Sequence, residues 1–123
     1  MKSKLSFEKR EGYLYAKITG AYNETAFMSY AEKIYEACKR EKTYKVLLDG
    51  LVVRGTDVPT TDRFFIGERY AEVLGSKIKL AVLWREKHID HFYETVVRNR
   101  GGFVFVSGDL ESALEWLLDD SEA

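Results

Sequence analysis

Proline is nearly missing from this sequence of 123 residues: Pro59 is the one example. Cysteine is as scarce, with Cys38 alone. One cysteine closes no intramolecular disulfide and supplies no cysteine-based zinc site, so a core has to hold the fold and a reducing compartment is expected. Neither charge is in surplus. Lys and Arg total 19 against 20 Asp and Glu, a formal net charge of −1. The basic excess of a nucleic-acid binder is therefore absent, and no nucleic-acid partner is expected. Lys39, Arg40, Lys42 and Lys45 do gather around one helix end, where they complement the helix dipole. No apolar run approaches the roughly 20 residues that span a bilayer, so no transmembrane segment is expected. The start, Met1-Lys2-Ser3-Lys4-Leu5, lacks the apolar stretch of a signal peptide, and the cytoplasm is the expected location. Three fingerprints are missing as well: the GxxxxGK(S/T) loop, GxGxxG after a strand and the GxSxG elbow. An enzyme is not expected, nor a cofactor.

What is present is core material. Hydrophobic residues make up 46% and aromatics 14%, too rich for a disordered chain. At this length one domain over residues 1–123 is expected, burying about two-thirds of the surface that the unfolded chain exposes. Residues 5–9 and 13–19 read as two strands joined by a tight turn at Glu11-Gly12. In the second, Leu14, Ala16 and Ile18 face one way, and Tyr13, Tyr15 and Lys17 the other. Asn23 opens a helix as N-cap, with Phe27, Ala31, Ile34 and Cys38 on one stripe. Val46, Leu47 and Leu48, ending at Asp49, make a continuous apolar run, the pattern of a strand buried on both faces. A loop over 50–61 follows, long for a small domain. Residues 62–74 read as a helix stopped by Gly75, 78–84 as a central strand, and 89–99 as a helix stopped by Gly101 and Gly102. Residues 103–106 form a last strand. Asp109 caps a last helix packing Leu110, Ala113, Leu114 and Leu117 inward, and 119–122 read as a frayed end. The order ββαβαβαβα implies an α/β fold: a mixed, mostly parallel five-stranded sheet with an N-terminal antiparallel hairpin.

This order, with Lys45-Val-Leu-Leu-Asp49, Ile78-Lys-Leu-Ala-Val-Leu83, Val97-Arg-Asn-Arg-Gly101 and Ala113-Leu-Glu-Trp-Leu117, resembles the STAS domain of SpoIIAA-like anti-sigma-factor antagonists. The resemblance spans about residues 5–118 and implies a small regulatory module bound by a protein partner. It also implies a phosphorylatable Ser at the start of the helix after the third strand. Here that stretch reads Gly55-Thr-Asp-Val-Pro-Thr60-Thr61-Asp62, with no Ser. Thr60 and Thr61 stand in a similar place. They are either phosphorylation targets at an anion-favouring helix start or plain helix caps.

Other candidates come from the residues themselves. Asp49 ends a central strand, where α/β sheets bind ligands, or else holds the next loop. Arg54, Asp62 and Arg63 lie on the loop and the helix start that a partner would contact. His88 and His91, with Asp90 between them, sit three apart near a helix start and read as exposed side chains rather than metal ligands. Cys38 belongs to the core stripe, without a base beside it. Gly67 inside a helix implies close packing. Leu51-Val52-Val53 is either buried, a partner or homodimer surface, or the mouth of an apolar site. Phe64, Phe65, Tyr70, Phe92 and Tyr93 are core or pocket lining. The alternative to a partner-binding module is a binder of a small apolar or anionic ligand, by analogy with the SEC14-type fold.

Overall fold

Alternation assigns the two faces of the sheet. In the computed structural model, which describes residues 3–120, strand β2 (Tyr13–Thr19) buries Leu14, Ala16 and Ile18 and leaves the residues between them partly exposed. It pairs with β1 (Lys4–Arg10) in an antiparallel hairpin, Leu5 opposite Ile18 and Phe7 opposite Ala16. Strands β3 (Lys45–Asp49), β4 (Lys79–Leu83) and β5 (Phe103–Ser107) follow in parallel, and the sheet order is β1-β2-β3-β4-β5. The register stacks Leu14, Val46, Leu80 and Val104 across four strands.

Parallel neighbours in chain order, joined by right-handed crossovers, put their helices on one face. Helices α1 (Glu24–Glu41), α2 (Thr60–Leu74) and α3 (Phe92–Asn99) accordingly share the larger core, with Ile34, Tyr70, Val97 and the row from Leu14 to Val104. Helix α4 (Leu110–Leu118) follows the last strand, is bound by no crossover and covers the opposite face. There Ala113 and Leu117 pack on Leu47, Ala81 and Leu83. Lys79, 7% exposed, reaches under α4 and donates to the carbonyls of Trp116 and Asp119 at 2.6 and 2.7 Å. A cation there satisfies carbonyls that a helix end leaves without partners.

Local signals are realised where they act alone. Asn23 caps α1 by accepting from the Ala26 N–H at 2.8 Å, and Asp109 caps α4 by accepting from Ser112. A Cβ on Gly67 would lie 3.0 Å from Val96, so α2 and α3 touch at that glycine. Boundaries move where tertiary contacts intervene. Helix α2 starts at Thr60, not 62, because Pro59 takes the N-cap position with its φ of −57° and its carbonyl accepts from Arg63 N–H. Neither Thr60 nor Thr61 caps the helix. Helix α3 starts at Phe92, not 89. A 3₁₀ turn (Glu86–His88) precedes it, and His91 is left-handed at φ 63°. Leu110 is 49% exposed rather than packed inward, since it opens α4 on the solvent side. The end expected to fray is tied down in part: the Asp119 carbonyl holds Lys79 and Asp120 pairs with Lys45. Ser121 and Glu122 lie outside the described residues.

Candidate functional site

The carboxyl ends of the parallel strands open into a cleft on the three-helix face. Its floor is Ile18, Leu48, Val82 and Val106, apolar residues near the ends of β2 to β5. Phe27 of α1, Ile66 and Tyr70 of α2 and Tyr93 of α3 form the walls. Trp84, directly after β4, and Tyr22, shortly after β2, close the top. The cavity holds about 80 Å³, several times the space that one water requires. Packing this tight leaves such a space only where rigid rings cannot fill it. Phe27 meets Tyr22 and Trp84 edge to face, with centroids 4.9 and 6.0 Å apart, and Tyr70 meets Tyr93 at 6.0 Å. Gly50 makes room for the indole: a Cβ there would lie 2.5 Å from the Trp84 ring.

The mouth is polar and organised by Arg63. Its side chain is 11% exposed. Nε donates to the Val58 carbonyl at 2.8 Å, one Nη to the His88 carbonyl at 2.7 Å, and the other to Asp90 at 3.3 Å. One planar fork thus joins α2 to both segments that frame the opening. Asp90 also accepts from the Phe92 N–H at 3.0 Å. Beside it, Glu94 pairs with Nδ1 of His91 at 2.5 Å. Asp62 accepts from the Tyr22 hydroxyl at 2.7 Å. Burial first, then that carboxylate, raises the Tyr22 pKa and keeps the phenol protonated.

Residues 50–59 form no helix or strand yet are anchored at several points. The Arg54 N–H donates to the Gly20 carbonyl at 2.9 Å, and its carbonyl accepts from the Tyr22 N–H at 2.8 Å. Trp84 Nε1 donates to the Thr56 carbonyl at 3.1 Å, and the Thr56 hydroxyl meets His88 Nδ1 at 2.7 Å. Val53, Thr56 and Val58 point inward, while Val52, Arg54 and Asp57 point out. The apolar triplet therefore splits. Leu51 packs on the α4-side core, Val53 is buried, and Val52 alone is 51% exposed.

Of the six residues that the sequence singles out, Arg63 stands at the mouth, and Asp62 connects to the cleft through its bond to Tyr22. Arg63 braces the opening and is not an open contact surface. Asp49 lies apart, accepting from Tyr15 at 2.5 Å and from the Leu51 N–H at 3.0 Å, so it holds the turn after β3. Arg54, Thr60 and Thr61 are exposed on the outer side. Tyr70 and Tyr93 line the cleft; Phe64, Phe65 and Phe92 do not. His88 and His91 share no helix face, because the chain turns between them. Among the described residues no group of three or more metal-ligating side chains is gathered, and no helix is long and apolar enough to cross a membrane. Cys38 is buried, which pushes its thiol up to about 11. Sequence reasoning passed over Tyr22, Trp84 and Glu94 as site residues, and weighed Asp90 only together with the two histidines. Tyr22 and Trp84 closely follow parallel strands, and that position is the signal that could have found them.

No family model and no curated protein sequence matches the chain. Solved structures do. An anti-sigma factor antagonist from Mycobacterium paratuberculosis superposes with a TM-score of 0.64 at 14% identity, over 96% of each chain. An uncharacterised Shewanella loihica protein with a SpoIIAA-like fold gives 0.58 at 17%, over 94% of this chain and 93% of its own. The fold is SpoIIAA-like: among the described residues, five strands, the first pair antiparallel and the rest parallel, with four helices.

Proposed function

We propose that this chain is a non-catalytic regulatory module, bound by a protein partner through residues 50–59 and the first turn of α2. The observation that carries the reading is the state of that loop. It is held by both neighbouring strands' connections, by Trp84 and by Arg63, yet it presents Val52, Arg54 and Asp57 outward. A pre-ordered loop loses little conformational entropy on binding, which suits recognition. The fold of the anti-sigma factor antagonist supports a regulatory role. Thr60 and Thr61 are the phosphorylation candidates: both are exposed in the first turn of α2, and neither caps it. A phosphate there would meet free N–H groups and the positive end of the helix. The lone thiol, buried and held protonated, is not placed as a nucleophile. The test is crosslinking in the native cell followed by binding of the captured partner to purified variants. Val52→Asp with Arg54→Glu should abolish that binding with an unchanged circular dichroism spectrum. Binding that survives both changes would refute the loop surface. Phosphopeptide mapping should find phosphate on Thr60 or Thr61, and an unmodified peptide under all growth conditions would refute the switch.

A second reading rests on the cleft. An apolar cavity with a few convergent polar groups at the carboxyl ends of parallel strands is where α/β proteins hold small molecules. In this reading the module carries a small ligand between α1, α2 and α3. Native mass spectrometry of protein purified from its own source should then show an added mass. A bare mass, with no displacement of bound solvent by apolar probes, would end this reading.

A further inference from the structure

We propose that the cleft takes a small organic cation, an ammonium group on a short apolar body. The inference deepens the ligand reading and rests on it. The first observation is the lining. Tyr22, Phe27, Tyr70, Trp84 and Tyr93 surround the cavity, five rings from five different parts of the fold. The negative π face of such rings attracts a cation, most strongly where water is excluded, and disfavours an anion.

The second observation is the charge at the mouth. Arg63 is the permanent cation that lines it, and all three of its nitrogens already donate, to two carbonyls and to Asp90. The Asp90 carboxylate already stands against this cation. Glu94 is placed differently. It lines the cleft with its side chain 12% exposed, and the partner that the structure gives it is His91, whose own side chain is 72% exposed at the rim. That contact engages one of the two carboxylate oxygens. Arg63 and Asp90 pair with each other, and Glu94 adds a second carboxylate at the opening. A desolvated carboxylate at the rim of an aromatic cavity is complementary to an ammonium group. The sign of the site therefore differs from the anionic ligand that fold analogy suggests.

Three soluble probes of nearly one shape separate charge from fit: choline, its neutral carbon isostere 3,3-dimethylbutan-1-ol, and the anion 3,3-dimethylbutanoate. Each is titrated into the full chain while the Trp84 indole and Glu94 amide resonances are followed. Choline should move both signals and bind at least about tenfold more tightly than the alcohol, with the acid weakest. Glu94→Gln, close to isosteric, should erase the advantage of choline over the alcohol. Equal affinity of choline and the alcohol would overturn the cationic assignment and leave the ligand reading standing. A tighter anion would overturn it likewise. If no probe moves either resonance, the inference falls, and the mass measurement decides the ligand reading separately. The wild-type comparison of probes holds even if the glutamine variant folds poorly.

Discussion

Tyr15 couples the sheet to pH. Burial and the hydrogen bond to Asp49 push its phenol up to about 12 from an ordinary value of 10. The protonated phenol is the form that folding favours. Its contribution is complete below pH 10, where neither state ionises. It is lost between about 10 and 12, where the unfolded chain releases a proton that the folded one keeps. Denaturant midpoints should therefore fall as the pH rises above 10, and Tyr15→Phe should flatten that slope. A slope identical in both proteins would contradict this account. Arg63 acts at the same scale. Lysine keeps the charge but not the fork, so it cannot reach Val58, His88 and Asp90 together. Arg63→Lys should cost about 2 kcal/mol of unfolding free energy. It should also speed hydrogen exchange at the indole of Trp84 and in residues 50–59. Normal protection in those segments would show that the loops stand without the fork.

Elements differ in how much of themselves they write into the chain. Helix α1 was legible in its start and its buried stripe: Asn23 as cap, then Phe27, Ala31, Ile34 and Cys38, with Lys39 and Arg40 in its last turn. These are local signals, and their cost can be stated locally. Asn23→Ala should lower stability by about 1 kcal/mol in chemical denaturation, with an unchanged m-value. Helix α3 was legible only from Phe92 onward. The apolar spacing of Ile89 continues the helical pattern backward, but Arg63, 27 residues away in sequence from Asp90, draws the His88 carbonyl and Asp90 toward the mouth. Asp90 then accepts from Phe92 N–H, and His91 turns left-handed to begin the helix there. A contact of that range has no signature in a local window. The start of α2 shows the same limit on a smaller scale, because Pro59 serves as an N-cap without a capping side chain.

The whole molecule is one sheet with unequal coverings, three helices on one face and one on the other. The two tryptophans divide between them. Trp84 roofs the cleft, while Trp116 packs on Phe103 and Phe105 with ring centroids 5.2 and 5.4 Å away. The strands β3 and β4 belong to both cores, with Leu48 and Val82 facing one and Leu47, Ala81 and Leu83 the other. Loss of either core therefore exposes the back of the other. Single-tryptophan variants, Trp84→Phe and Trp116→Phe, should report the same denaturant midpoint as circular dichroism does for each protein. Separate midpoints for the two probes within otherwise equal backgrounds would mean that the faces unfold independently.

Residue order alone determined the alternation of strands and helices, the buried run ending at Asp49, the caps at Asn23 and Asp109, and the glycine at the α2–α3 contact. Each depends on neighbours within a few positions or on a side-chain period, which a chain carries in its own sequence. Of the cleft lining, Arg63, Tyr70 and Tyr93 were legible as candidates, but not what Arg63 does. The cleft joins β2, β3, β4, β5, all three helices of one face and the loops between them. The seat of Trp84 over Gly50, the fork of Arg63 and the carboxylate of Glu94 at the rim arise only when those parts meet. Tertiary structure decided them, because a cavity is the space that distant side chains leave, and no local pattern records it.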